Sequence, residues 1–516
     1  MDSHASILRS AKSFFAGTLL SRIMGMLRDI VMAFCFGSAP EVAAFMVAYR
    51  LANLFRRLFG EGNLQGGFVP HFERLRLESD APAARFYRDL FFSIIIALMI
   101  LTGISSAVCW TLGYWIDSDI PFMMMAMMPG VIFLCLYALN SSVLQCQRRY
   151  FLPALAPVAF NAVWIIAALF LSGKGLKDAM FGLSIGVLAA FGLQWWMTSP
   201  PVTKWAHGAI GWREWLRPHP FSSEVRVLLK PLTFGIVGIG AAQINSAVDA
   251  IFARLADPSG PAYLWYAIRI QQLPLALFGI ALAGALLPPL SRAMQSNQLD
   301  KYRELLQGGL RQSAALMIPC AVGMVVLAVP GLDLLYGHGG FQGGDVAQTG
   351  VCLQAYALGL VPMVFVLMLA NGFYAQKSYR WPMHCSLVSV ACNALLNIIF
   401  VFVLHWGAAS IALATAVSAF LNCAMLAHGL QAHIGSFSLW RGNGRISLCS
   451  LLAAAAALLA DSLVPHQRDF ASQASRFLVT ASAFGITGLA MAYWLDVKEI
   501  IKLMNWKKSP TEESGA

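Results

Sequence analysis

The sequence predicts an all-α polytopic membrane protein, and three observations carry that prediction. Hydrophobic residues make up 58% of the 516 and charged residues 12%, with a mean hydropathy of +0.65, whereas a soluble domain carries about 25% charged residues. Apolar runs of roughly 18–25 residues recur from end to end, about 14 of them, each long enough to cross a bilayer as a helix. Alternating strands of about ten residues, the mark of a membrane barrel, are absent, so helices are left to satisfy the backbone inside lipid.

In chain order the runs lie at 12–36, 41–59, 88–113, 120–146, 154–172, 178–198, 232–255, 263–290, 311–332, 347–375, 382–404, 408–428, 446–464 and 474–496. Basic residues orient them, because Lys and Arg are retained on the cytoplasmic side. Arg9 and Lys12 lie at the N-terminus. Arg74, Arg76, Arg85 and Arg88 follow the second run, Arg148 and Arg149 the fourth, and Lys204, Arg213, Arg217, Arg226 and Lys230 the sixth. Later even-numbered exits carry Arg292, Lys301, Arg303 and Arg311, then Lys377 and Arg380, then Arg441 and Arg445, and finally Lys498, Lys502, Lys507 and Lys508. The odd-numbered exits "YWIDSDIP", "LADPSGPA", "LDLLYGHGGFQGGD" and "LHWGA" are neutral or acidic, apart from the isolated Lys174, Lys177, Arg468 and Arg476. Both termini are therefore expected in the cytoplasm.

The net charge of +11 is spread over these turns and forms no single stripe, so it points to topology and anionic membrane lipid and away from nucleic acid. The first run contains two arginines and has no small-residue cleavage site after it, unlike a cleaved signal peptide. All ten cysteines lie in or beside apolar runs without metal-type spacing, which makes them small core residues.

Internal repeats divide the chain. "LNSSVLQCQRRYFLPALAPVAFNAV" (139–163) resembles "ANGFYAQKSYRWPMHCSLVSVACNAL" (370–395), pairing Asn140 with Asn371, Gln145 with Gln376 and Asn161 with Asn393. "LFGEGNLQGGFVPHFERL" (58–75) more faintly resembles "LFGIALAGALLPPLSRAM" (277–294). The offset, near 220–230 residues, equals six runs plus a linker, and six is even, so two six-helix lobes form a parallel pseudo-repeat. The expected domains are an N-terminal lobe at 1–198, an amphipathic cytoplasmic linker at 199–231, a C-terminal lobe at 232–430, and runs thirteen and fourteen with a cytoplasmic tail at 431–516.

Charges inside the runs are the candidate site. A mid-membrane Arg costs about 2.5–3.5 kcal/mol on insertion scales and usually faces a bundle interior or wet cavity. Arg56 and Arg57 have an alternative, which is to snorkel at the cytoplasmic end of run two. Arg22 and Arg28 lie deeper. Arg22 and Asp29 are seven residues apart and share a helix face, as do Arg50, Asn53 and Arg57. Arg269 opens the second half with no acidic residue near it in its run. Together Arg22, Arg28, Arg56 and Arg269 are expected to form a cationic cavity wall between the halves, and arginine is the side chain suited to bidentate phosphate binding. The expected substrate is anionic and polyphosphorylated.

The segments "SRIMGMLRD", "FMVAYRLANLFRRLFGEG" with "FVP" after it, "YAIRIQQLPLALFGIALAGALLPPLSR", "LLYGHGGF" and the Asn-containing repeat resemble the MurJ (MviN) lipid II flippases of the MATE-related exporter superfamily. The resemblance runs in order through residues 7–430, while runs thirteen and fourteen match by position and hydropathy. It implies a fourteen-helix, two-lobed monomer in the bacterial inner membrane that flips undecaprenyl-diphosphate-linked GlcNAc-MurNAc-pentapeptide, alongside the cell-wall synthesis machinery. The family's cavity arginines fall on Arg22, Arg28, Arg56 and Arg269. Ala43 stands where the family usually has Asp, and Ile268 where it often has Asp before the arginine, so ion pairs built on those acids are absent here.

A second polar set comprises Asp249, which shares a face with Asn245, together with Asn393 and Asn397, four apart, and Thr415. Oxygen ligands of this kind suit a hard cation such as Na⁺, and the resemblance supports a coupling or structural Na⁺ there; the alternative is ordinary interhelical hydrogen bonding. No other cofactor is expected. Enzyme motifs are missing: there is no HExxH or GxSxG, and "GHGGFQGG" lacks the Lys-Ser/Thr of a phosphate loop. The competing functions are a cation-coupled multidrug antiporter, whose organic cations an arginine wall would repel, and a non-transporting scaffold. Runs thirteen and fourteen, rich in Ala, Gly and Leu, are expected to line an apolar groove for the lipid tail, with Ala454 and Ala483 one on each helix.

Overall fold

The computed structural model describes residues 4–59, 63–116, 118–439, 442–465, 467, 469–497 and 499–501, with the backbone alone for 4–16, 55–59, 63–66 and 229–242. Of the residues singled out in the sequence, Arg9, Lys12, Arg56, Arg57, Lys230, Arg441, Arg468, Lys498, Lys502, Lys507 and Lys508 lie outside the described residues or their described side chains.

Helices account for the regular structure, and no strand occurs among the described residues. The chain divides into two compact units, Met1–Arg254 and Leu255–Ala516. The first holds α1 (His4–Phe36), α2 (Pro40–Phe59), α3 (Asn63–Glu78), α4 (Asp80–Trp115), α5 (Ile120–Met127), α6 (Gly130–Cys146), α7 (Phe151–Leu171), α8 (Leu176–Trp215) and α9 (Ser223–Arg226), and nearly all of α10 (Leu229–Ala256). The second holds α11 (Gly260–Pro274), α12 (Ile280–Gln295), α13 (Leu299–Val326), α14 (Ala328–Tyr336), α15 (Gly343–Leu358), α16 (Leu360–Ala375), α17 (Arg380–Ile398), α18 (Ala409–Ile434), α19 (Asn443–Leu463) and α20 (Phe470–Trp494).

Among the described residues, eleven helical stretches are long and apolar enough to cross a membrane. They coincide with eleven of the expected runs. The other three, at 12–36, 41–59 and 232–255, fall on α1, α2 and α10, each of which contains residues described by backbone alone. A π-helical turn, Leu275–Gly279, directly follows Pro274 and joins α11 to α12. Such turns often mark functional positions.

Each unit has its own core. In the first, an aromatic cluster of Phe68, Phe72, Phe86, Tyr87 and Trp215 joins α3, the start of α4 and the end of α8. Beside it Tyr87 donates its hydroxyl to Asn140 Oδ1 at 2.7 Å, and Asn140 Nδ2 donates to Thr198 Oγ1 and Ser199 Oγ at 3.3 and 3.1 Å. A polar network buried in this way is stabilising only because its members are paired. In the second unit Tyr302 occupies the comparable place, donating to the Gly372 carbonyl at 2.6 Å and accepting from Gln376 Nε2 at 3.1 Å.

These tyrosines mark a third pair of matching segments. Phe86-Tyr87-Arg88-Asp89-Leu90 opens α4, and Lys301-Tyr302-Arg303-Glu304-Leu305 opens α13. Arg88 donates to the carbonyl of Glu214 at the end of α8, at 2.8 Å, and Arg303 donates to the carbonyl of Ile434, the last residue of α18. The final carbonyls of a helix lack intrahelical donors, so an arginine caps the end of α8 in the first unit and of α18 in the second. Arg88 is further held by Asp89, through Nε and Nη2 at 2.8 and 2.7 Å.

Candidate functional site

In the first unit the site is built around Arg28. The α1 sequence places Arg28 against α7, where Asn161 and Trp164 are three residues apart and so lie on one helix face. Arg28 is 6% exposed and Asp29 2%. The guanidinium donates from Nε and Nη2 to Asp29 Oδ1 at 3.1 and 2.8 Å, and from Nη1 to Asn161 Oδ1 at 3.1 Å. Its carbon stands 4.6 Å from the Trp164 ring centroid. Tyr49 packs edge-on to the same ring at 4.8 Å, as do Phe45 at 5.5 Å and Phe160 at 5.7 Å. Asp29 therefore neutralises its own neighbour in sequence. Burial of such a pair is compensated only when the remaining hydrogen bonds are made, and Asn161 makes one of them.

Arg22 lies two turns earlier on α1 and is exposed. Its shared face with Asp29 does not bring it to that carboxylate, which is taken by Arg28. On α2, Arg50 and Asn53 are half-buried, and Asn53 Oδ1 is enclosed without a hydrogen-bond partner. The Arg56 side chain is outside the described residues. Ala43 is fully buried.

In the second unit the site residue is Arg269 on α11. It is half-buried, and its guanidinium stacks over Trp265, one turn earlier, at 4.5 Å. Stacking on an indole holds a guanidinium flat. Arg28 and Arg269 thus share a device, an aromatic shelf. The sequence also carries a parallel that charge alone hides: Ala48-Tyr49-Arg50 and Ala267-Ile268-Arg269 stand at the same offset as Phe59-Gly60 and Phe278-Gly279. Arg269 thus corresponds to Arg50, and the signal that finds Arg50 is this register.

For the second polar set, Asp249 on α10 is buried and one carboxylate oxygen accepts from Asn245 Nδ2 at 3.3 Å. Asn393 and Asn397 on α17 are buried, and Thr415 on α18 is half-buried and donates its hydroxyl to the Ile411 carbonyl at 3.0 Å. A carboxylate, two amide oxygens and a hydroxyl are hard donors, the chemistry of an alkali or alkaline-earth ion and not of a transition metal. No group of three or more His, Cys, Asp or Glu side chains suited to a metal occurs among the described residues.

The tail helices α19 and α20 pack together, and an ion pair joins them: Arg476 Nε and Nη2 donate to Asp461 Oδ1 and Oδ2 at 2.7 and 2.8 Å. Ala454 is buried, so a large side chain there would disturb packing before it met any lipid; Leu451, Leu458 and Ile486 are exposed positions.

Helices of this length and apolarity, in two bundles with arginines held inside, define a polytopic membrane transporter. Similarity to known proteins makes the class specific. Residues 32–478 match the family described as Lipid II flippase MurJ. A probable lipid II flippase MurJ from Chlamydia muridarum (strain MoPn / Nigg) is 34% identical over 403 residues, covering 77% of this chain and 74% of its own. Among solved structures, a lipid II flippase MurJ in an inward closed conformation superposes with a TM-score of 0.75 at 23% identity, covering 93% of this chain and 99% of its own. An inward-facing MATE multidrug transporter of the MOP superfamily has the same fold at a TM-score of 0.65 and 13% identity, covering 82% and 96%. The chain belongs to the MurJ lipid II flippase family.

Proposed function

We propose that the chain moves lipid II, an undecaprenyl-diphosphate-linked disaccharide pentapeptide, from the inner to the outer leaflet of a bacterial inner membrane by alternating access. The observation that carries this reading is the family match across residues 32–478. In this reading the fourteen runs all span, both termini are cytoplasmic, and the lobes are 1–198 and 232–430, joined by the linker at 199–231, with 431–516 appended. Arg22, Arg28, Arg56 and Arg269 receive the diphosphate, with Asp29, Arg50 and Asn53 beside them. The flat, aromatic-backed guanidiniums of Arg28 and Arg269 supply donor edges in fixed orientation, which is what binding of a phosphate oxygen pair needs. No bond of the substrate is made or broken, so the protein acts as a carrier and not as an enzyme, and it works as a monomer beside the wall-synthesis machinery.

Asp249, Asn393, Asn397 and Thr415 would hold Na⁺ as the coupling or structural ion, supplying charge and nothing more. The repeat supports this assignment. At an offset of 220, Asp249 corresponds to Asp29, and Asn393 pairs with Asn161. In the first unit Arg28 links that carboxylate and that amide, while the residue aligned with Arg28 is Val248.

The likeness to MATE transporters is one of fold, and an arginine set disfavours their organic cations. Depletion of the protein in its host, with lipid II on the outer leaflet assayed by an impermeant reagent, is the test: undiminished exposure on depletion would reject the flippase reading.

A further inference from the structure

We propose that the segment 211–228, which leaves the end of α8, is a docking surface for anionic phospholipid at the membrane surface. α8 has 40 residues and would be about 60 Å long if straight, twice the thickness of the hydrocarbon core. Pro200 and Pro201 lie just where the apolar run ends, and Gly211, at φ +73°, breaks the helix direction again. The chain beyond Gly211 is therefore free to turn along the boundary and not out into water.

The segment sorts its side chains in two directions. Trp215, Val225 and Leu228 are buried in the aromatic core beneath. Trp212, Leu216, Phe221 and Val227 are 59, 58, 41 and 56% exposed, although they lie outside the apolar runs that cross the bilayer. Arg213 and Arg217 are exposed among them.

The decisive feature is the charge. Both carboxylates of the segment are engaged by basic side chains: Glu214 accepts from Arg85 Nε at 2.6 Å, and Glu224 lies 2.6 Å from His71 Nε2 and accepts from Arg74 at 3.4 Å. Backbone bonds fasten the segment as well, since His219 N donates to Asp89 Oδ1 at 3.0 Å and Phe221 N to Ser93 Oγ at 2.9 Å. The acids are thus neutralised by basic partners, while apolar side chains and arginines occupy the exposed positions. An exposed surface of that composition matches an interfacial layer of acidic headgroups over acyl chains, with an indole at the boundary. A soluble acidic protein would satisfy the arginines but leave four exposed apolar side chains to be explained. This inference is independent of what the arginines inside the units bind.

Hydrogen–deuterium exchange of the full-length protein, one copy per nanodisc, tests it. With phosphatidylcholine alone compared with phosphatidylcholine containing phosphatidylglycerol, exchange across 211–228 should slow in the anionic discs. Each basic residue near an acidic surface contributes roughly a fivefold change in partition, so Arg213→Gln and Arg217→Gln should each remove about that factor of the slowing and together abolish most of it. Both are exposed, and unchanged exchange in α4 and α6 would verify the fold. Equal exchange in the two kinds of disc, slowing that survives the double substitution, or slowing that requires added cytosolic protein would each overturn the proposal.

Discussion

Arg28 and Arg269 look alike in sequence, each a guanidinium in an apolar run, yet their surroundings predict different responses to truncation. Arg28→Ala removes the guanidinium that is paired with Asp29, a carboxylate 2% exposed, and breaking a buried pair costs about 3–5 kcal/mol. Arg269→Ala forfeits its stacking on Trp265, on the order of 0.5–2 kcal/mol. We predict that both variants fail to support wall synthesis in a depletion strain. Membrane levels and apparent Tm in detergent should fall for Arg28→Ala and stay near wild type for Arg269→Ala. Growth of the Arg269→Ala strain at wild-type rate would remove that arginine from the binding reading. A companion variant, Arg28→Lys, keeps the charge but loses the planar fork shared by Asp29 and Asn161, and we expect its stability to recover further than its activity. The positions of these arginines are legible from the cost of placing them in lipid. The Arg28 to Asp29 pairing is not, because adjacent helical residues do not face each other, and it forms only because a long guanidinium arm folds back along the helix.

At the scale of elements, the Tyr-Arg-acid-Leu motif that opens both α4 and α13 predicts an asymmetry. Arg88 has its side chain 3% exposed and is bound to Asp89 and to the end of α8, so Arg88→Ala should lower stability by about 3–5 kcal/mol. Arg303, whose ion-pair partner Asp300 is 98% exposed, should lose little from that pair, about 0–1 kcal/mol, plus a charged hydrogen bond to the α18 terminus worth roughly 1.5–3 kcal/mol. Apparent Tm measured side by side should therefore fall further for Arg88→Ala; equal shifts would contradict the burial argument. Apolar length makes eleven candidate membrane helices readable from sequence, and the Asn140 repeat is a pattern of the sequence itself. The Tyr-Arg motif is harder to see, because a basic turn before a span is what topology alone already demands, and only the bonds to Glu214 and Ile434 separate a helix cap from an orienting charge. The tail helices are legible as an apolar pair, but their inner faces are not: Ala454 is buried, and the ion pair of Asp461 with Arg476 joins residues 15 apart across a turn. If α19 and α20 hold the lipid tail, Leu458→Trp and Ile486→Trp, on exposed positions, should impair transport of the full-length lipid more than that of a short-chain analogue, and equal impairment of both would make these helices a packing appendage.

Taken over the whole chain, the duplication leaves two versions of one polar arrangement. In the first copy a carboxylate and an amide, Asp29 and Asn161, are joined by a covalently tethered cation, Arg28. In the second, Asp249 aligns with Asp29 and Asn393 with Asn161, and the residue aligned with Arg28 is the uncharged Val248. A tethered guanidinium cannot leave with a change of conformation, whereas a bound ion can, and only the latter lets an external gradient bias the cycle. Moving one charge across the full potential is worth about 2.3 kcal/mol per 100 mV, a factor of roughly fifty in an equilibrium. Asp249→Asn keeps the shape and one oxygen but removes the charge that would hold a monovalent cation. The expected outcome, in proteoliposomes with an imposed potential and Na⁺ on one side or neither, is that the variant binds lipid II nearly as well as wild type while its transport loses most of its response to potential and Na⁺. A wild-type response in Asp249→Asn would mean that this set is hydrogen bonding between helices and nothing more, and that the duplicated chain uses its charges for the substrate alone.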